Sequence, residues 1–164
     1  MIRGAGPEDA PAIRRVHEEA FGRPAEADLA DALVAEGLAE VSLVSEVEGD
    51  VVGHVLLSRV HVGEEPLLAL APLGVLPGHK DAGHGRELVR ASLTVARETT
   101  SFPAVVVLGS PAYYGKLGFE PARRLGLRSP FKVPRETWRA ARLPAWVDGA
   151  IKGTVRYPPP WDAV

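Results

Sequence analysis

The sequence predicts an α/β (α+β) fold: one mixed, twisted sheet of about seven strands flanked by helices, in a single domain over residues 1–164. Three observations predict it. Val41 to Val75 reads as three strands joined by turns at Glu48-Gly49-Asp50 and Gly63-Glu64-Glu65-Pro66, which makes an antiparallel meander. The apolar run Leu67 to Val75 then leads through Gly83 and Gly85 into helical spacing at Leu88, Val89, Leu93 and Ala96, and on to Ala104–Leu108. Strand, helix and strand in that order form a right-handed parallel crossover, so the sheet is mixed. Finally, Ile151, Gly153, Val155 and Tyr157 alternate with Lys152, Thr154 and Arg156, which predicts a last, half-exposed strand.

The remaining elements follow from local signals. Ile2-Arg3 opens a short first strand. Gly6-Pro7-Glu8-Asp9 starts a helix with acidic groups in its first turn, and Ile13, Val16, His17 and Ala20 share one face up to Phe21. Gly22-Arg23-Pro24 breaks it. A second helix has Leu29, Leu33 and Val34 as its apolar face and ends at Gly37. Its other face carries Glu26, Asp28 and Asp31, either a solvated face or an acidic rim that receives a cationic amine. Ala104 to Leu108 is short, continuous and β-branched, as in a strand buried on both sides. Gly109-Ser110-Pro111 starts a short helix with Tyr113 and Tyr114, ended by Gly118. Phe119-Glu120-Pro121 and Leu125 to Leu127 are strand-like, and Pro134 to Leu143 reads as a short helix with Pro in its first turn.

Composition narrows the function. With 46% hydrophobic and 24% charged residues the chain can bury a core, and a net charge of −2 gives no basic balance for nucleic acid. There is no cysteine, which excludes a cysteine nucleophile, a thiolate metal site and disulfides, and fits a cytoplasmic protein. Met1 to Ala10 has no signal-peptide core, and no apolar run approaches the roughly 18 residues of a membrane span.

The chemistry concentrates in Leu73 to Arg86, Leu-Gly-Val-Leu-Pro-Gly-His-Lys-Asp-Ala-Gly-His-Gly-Arg. A strand runs into a glycine turn that opens a helix. The first amides of a helix lack intrahelical partners and carry partial positive charge, and glycine admits a close ligand, so the stretch can hold an anion, most often a phosphate. A P-loop would need Lys and Ser/Thr where His84 and Gly85 stand. A dinucleotide fingerprint would need a third glycine where Leu88 stands, after a first strand. Lys80-Asp81-Ala82-Gly83-His84-Gly85 resembles instead the [QR]-x-x-G-x-[GA] loop of the GNAT superfamily of acetyl-CoA-dependent N-acetyltransferases. Ser110-Pro-Ala-Tyr-Tyr-Gly-Lys-Leu-Gly-Phe119 resembles a second segment of that family, with Tyr114 four residues before Gly118. The order of elements is also the GNAT order, and the resemblance extends over most of the chain. It looks nearest to small bacterial members with a Pro-Ala-Tyr-Tyr helix.

The resemblance implies the GNAT fold, with the fourth and fifth strands splayed apart. It implies that Leu73, Gly74 and Val75 offer backbone groups to the pantetheine arm of acetyl-CoA. Lys80, Asp81, Ala82, Gly83, His84, Gly85 and Arg86 would wrap the pyrophosphate, Ser110 would contact the pantetheine arm, and Tyr114 would protonate the departing thiolate. The implied reaction is direct attack of a primary amine, on a small molecule or a peptide, in a ternary complex. The backbone amide of Val75 would stabilise the oxyanion. Lys80 stands for the usual Gln/Arg, Asp81 for a frequent basic residue and Ser110 for a frequent Asn. Leu67 to Val75 carries no acid, so the resemblance assigns no general base. Acetyl-CoA is the one co-substrate implied, with no metal, no nucleic acid and no membrane, in a monomer or homodimer. A non-catalytic acyl-CoA-binding or partner-binding module that retains the fold is the alternative.

No acidic-histidine spacing matches a zinc site. His54 and His61, seven apart on one strand, point to opposite faces. His54 is either a base acting through water or a satisfied strand histidine. Trp138, Trp146 and Trp161 read as core rather than as an aromatic cage, and Tyr113 as packing. Phe21–Glu26 and Leu143–Gly149 read as acceptor loops.

Overall fold

The computed structural model describes residues Met1–Val164. The chain begins with β1 (Ile2–Gly4) and a single 3₁₀ turn, Pro7–Asp9. Arg3 grips the Asp9 carboxylate through two nitrogens, each at 2.8 Å, and so ties β1 to the start of α1 (Ala10–Phe21). Gly22, at φ 69, ends α1. Next come α2 (Ala25–Ala35), β2 (Ala39–Val47), β3 (Asp50–Val62) and β4 (Glu65–Val75). They lead to α3 (His84–Thr99), β5 (Ala104–Leu108) and the five-residue α4 (Pro111–Gly115). The chain closes with β6 (Glu120–Pro121), β7 (Leu127–Arg128), β8 (Trp138–Arg142) and β9 (Gly153–Thr154).

Seven strands form the main sheet in the order β1-β2-β3-β4-β5-β8-β6. β2, β3 and β4 are the expected antiparallel meander, and β4 and β5 pair in parallel across α3. One face of the sheet is covered by α3, through Leu88, Val89, Leu93 and Ala96, together with Tyr114 and Phe119. On the other face α1 and α2 cover the N-terminal half through Val16, Leu29 and Leu33. The segment from Ala122 to Val155 covers the C-terminal half. No helix is long and apolar enough to cross a membrane.

Four expectations are corrected. Pro134 to Leu143 is not a helix: one 3₁₀ turn, Arg135–Thr137, leads into β8, which pairs with every residue of β5. Local propensity favours a helix in this Ala- and Arg-rich stretch, but the open edge of β5 decides. Ile151 to Tyr157 does not form the seventh strand. Only Gly153–Thr154 is regular, paired with β7 in a separate two-stranded sheet, and β8 takes the seventh place. The alternation there reflects burial, since Ile151 and Val155 are inside, while Gly153 at φ 139 prevents a longer strand. Leu125 likewise belongs to a 3₁₀ turn, Ala122–Leu125, ahead of β7. On α2 the inner face is Ala27, Leu29, Ala30 and Leu33, and Val34 is 59% exposed.

Candidate active site

The site begins where β4 and β5 part. They pair at only two positions, Leu68 with Val105 and Ala69 with Val106. Beyond these β4 carries a bulge, Ala71-Pro72 opposite Leu56 on β3, a device that re-aims a strand and frequents functional sites. The Leu76 amide donates to the Val52 carbonyl at 2.8 Å. Successive amides of a strand alternate in direction, so those of Val75 and Leu73 turn to the edge that β5 has left.

A groove of about 610 Å³ opens on this edge. Leu73, Gly74, Val75, Lys80, Asp81, Gly83, His84, Gly85 and Arg86 line it, together with Ala20, Phe21, His79 and Tyr113. Ala82 and Ser110 lie outside its lining. The loop turns through left-handed backbone at Asp81, φ 64, and Gly83, φ 88. Glu87 donates the first α3 hydrogen bond, to the Gly83 carbonyl at 3.0 Å, so the amides of His84, Gly85 and Arg86 precede the ladder and face outward along the dipole. The His84 ring is pinned by Ser45, whose Oγ lies 2.8 Å from Nδ1, and this fixes the loop against β2. A Cβ on Gly85 would sit 2.8 Å from the Tyr113 hydroxyl, so a glycine here lets the phenol lie over the helix start. Tyr113 packs against the core, as the sequence predicts, and its hydroxyl also reaches this groove.

A second cavity of about 260 Å³ lies on the α1–α2 side of the same gap. Tyr114 and Glu26 line it among apolar side chains, and Phe21 and Leu73 line both spaces. The α4 helix divides the tyrosines: Tyr113 faces the groove and Tyr114 the cavity, their rings edge-on at 4.9 Å. Ser110 Oγ accepts from the Tyr113 amide at 3.2 Å and caps α4. A Cβ at Gly109 would overlap the Tyr114 ring, which packs edge-on against Phe119. Burial raises the Tyr114 phenol above the ordinary tyrosine range, so it keeps its proton at neutral pH.

Glu26, expected on an outer face, is only 8% exposed. Arg23 Nε and Nη2 donate to its two oxygens at 2.9 and 2.5 Å. That hydrogen bonding holds the carboxyl below its usual range, so it is ionised. Asp28 and Asp31 instead pair with Arg14 on the surface.

Behind Gly74 lies a feature that spacing did not reveal. His17 of α1 and His54 of β3 meet with Nε2 and Nδ1 2.8 Å apart, and His54 Nε2 lies 2.8 Å from Ser42 Oγ. Desolvation lowers both, His17 to about 4 against the pull of the Glu26 carboxylate and His54 to about 3 with His17 adding to the effect, so the pair is neutral. His54 lines neither cavity and is a satisfied strand histidine. His17 Nδ1 is buried without a partner, and a Cβ on Gly74 would sit 2.7 Å from it. Gly74 thus lets α1 descend onto the end of β4.

The acetyltransferase (GNAT) family matches residues 10–119 of the chain. The uncharacterized N-acetyltransferase YhbS of Escherichia coli K12 is 34% identical over 160 residues, 96% of this chain and 95% of that protein. A second uncharacterized N-acetyltransferase of that organism, YjhQ, is 38% identical over 135 residues, 78% of this chain and 74% of that protein. The crystal structure of E. coli YhbS, a GNAT family N-acetyltransferase in complex with CoA, superposes with a TM-score of 0.91 at 33% identity, over 99% of this chain and 91% of that one. A GNAT family acetyltransferase from Brucella melitensis in complex with acetyl-CoA superposes with a TM-score of 0.82 at 29% identity, over 99% and 97%. The matched stretch takes in the glycine loop, the parting strands and the tyrosine pair alike, and the chain belongs to the GNAT acetyltransferase family.

Proposed function

We propose that this protein is an N-acetyltransferase that moves the acetyl group of acetyl-CoA to a primary amine by direct attack in a ternary complex. The observation that carries the reading is the pair of spaces meeting at Leu73 and Phe21 in the gap between β4 and β5. One offers a helix start and free strand amides, which suit a pyrophosphate and an amide-bearing pantetheine arm. The other offers a phenol and a carboxylate, which suit an amine. Complexes of the two related structures with CoA and acetyl-CoA support the assignment of the groove.

The roles follow from position. The amides of His84, Gly85 and Arg86 hold the pyrophosphate, with the Lys80 and Arg86 side chains on the rim. Outward amides of Leu73 and Val75 pair with the pantetheine arm and, at the thioester, polarise the carbonyl. A neutral amine attacks that carbon, the C–S bond breaks, the sulfur takes a proton from Tyr114, and the proton released by the amine nitrogen restores the phenol. Ser110, engaged in its cap, acts by holding α4 so that Tyr114 reaches the sulfur.

The test is a thermal melt paired with thiol detection. Acetyl-CoA at a hundredfold excess over its Kd should stabilise the protein by about 2.7 kcal/mol. Pantetheine without phosphates should stabilise it much less, and free CoA should appear only when an accepted amine is added. Equal stabilisation by both compounds would remove the pyrophosphate assignment. Tight binding without thiol release under any amine would mark a binding module.

A further inference from the structure

We infer that the acceptor is a primary amine on an elongated apolar body, seated in a trough that runs from Glu26 and Tyr114 to Phe131 and Tyr157. The inference rests on the acetyltransferase reading of the gap and names the chemical class that the gap selects. Beside the 260 Å³ cavity lies another of about 310 Å³. The two share Leu70, Ala71, Leu108, Trp161 and Val164 in their walls, so they adjoin at the mouth of β4 and β5. Every residue lining the outer cavity is hydrophobic. In the inner one Glu26 is the only charged side chain.

This arrangement sorts amines by what lies behind the nitrogen. Glu26 is ionised and buried, and Arg23 occupies one lone pair on each oxygen. A carboxylate has about four acceptor sites, so room remains for an ammonium donor. The carboxylate lines the inner cavity, which shares Phe21 and Leu73 with the cofactor groove, and an amine held there lies on the thioester's side of the gap. Beyond the carboxylate the walls are Leu29, Leu70, Leu108 and Trp161, then Phe131 and Tyr157. An alkyl or aryl body gains from burial there. A polyol, a second ammonium or an α-carboxylate would lose more water than the Trp161 indole N–H and the Tyr114 and Tyr157 hydroxyls can replace.

The experiment measures kcat/KM for the full-length protein with saturating acetyl-CoA across butyl-, hexyl-, octyl- and phenethylamine, set against ethanolamine, glycine and spermidine. Values should rise about fourfold per added methylene until the trough is filled, and the polar set should lie at least tenfold below hexylamine. Leu108→Ser, at the 38% exposed tip of β5, should flatten that ladder. Glu26→Gln should raise KM for all amines and leave acetyl-CoA affinity unchanged. A flat ladder, or preference for the polar set, overturns the acceptor class while thiol release still upholds the transferase. Should no amine release thiol, the transferase reading falls. Titration calorimetry of the same amines onto the CoA-bound protein then decides the class: affinity rising with chain length sustains it, and its absence overturns it.

Discussion

The buried His17–His54 pair makes a quantitative prediction about acid stability. A histidine in the unfolded chain titrates near 6.5. In the fold His17 is lowered to about 4 and His54 to about 3, chiefly by desolvation. Both are therefore neutral well above pH 6.5, near pH 8, in either state and contribute little pH dependence there. Below 6.5 the unfolded chain takes up two protons that the fold refuses, so stability falls as pH falls. At pH 5 the loss is about 2 kcal/mol for each histidine and about 4 kcal/mol for the pair, with a slope approaching 2.7 kcal/mol per pH unit. It levels off only near the folded values, when the native pair itself charges. Because many domains have only 5–15 kcal/mol to lose, this is a large fraction.

The assay is urea unfolding by tryptophan fluorescence at pH 8, 7, 6 and 5, with Trp138, Trp146 and Trp161 as reporters. The reference is the double variant His17→Gln, His54→Gln, which keeps a polar atom at each site and removes the titration. It should be less stable than wild type at pH 8, and its stability should change by about 4 kcal/mol less between pH 8 and pH 5. A difference below about 1 kcal/mol would refute the reasoning, since both rings would then be accepting protons inside the folded protein.

The other predictions concern the two sides of the gap. Tyr114→Phe should keep acetyl-CoA affinity within a few-fold and lower kcat by about 10²-fold or more, measured as free CoA under an accepted amine. Tyr113→Phe should instead raise the KM for acetyl-CoA several-fold with kcat nearly unchanged. Interchanged results would put Tyr113 at the sulfur. Gly85→Ala should leave the melting temperature level or slightly higher, since alanine favours the helix. Its methyl displaces the Tyr113 hydroxyl and crowds the helix start, so acetyl-CoA affinity should drop by about tenfold. Unchanged affinity would place the phosphates elsewhere.

How much of this was legible in the sequence depends on how local each signal is. The meander from Val41 to Val75 and the glycine entry to α3 announce themselves because each is encoded by neighbours: an alternation, a turn, a break in spacing. β8 does not, because Ala140 and Ala141 prefer a helix until β5 and β6 claim them from either side. The bulge at Ala71-Pro72 is a property of pairing with Leu56 and is invisible along β4 alone. Glu26 reads as a surface residue because it is charged, and only the fold shows Arg23 turned back over it as the loop enters α2. The meeting of His17 with His54 joins a helix to a strand, and no spacing rule connects them.

The tyrosine pair shows how a local rule can be sound and still incomplete. Neighbours on a helix point about 100° apart, so only one of Tyr113 and Tyr114 can face a given atom. That reasoning leaves the other ring without a task. In the fold the same rotation sends the rings to opposite spaces, because α4 starts in the gap itself, immediately after β5 ends. Three small features make this possible. Ser110 caps the helix and fixes its first turn, Gly109 clears the path of the Tyr114 ring, and Gly85 clears the place of the Tyr113 hydroxyl. A side chain at either glycine would move one tyrosine and leave its neighbour in place. The two spaces of the gap can thus be perturbed separately by single substitutions.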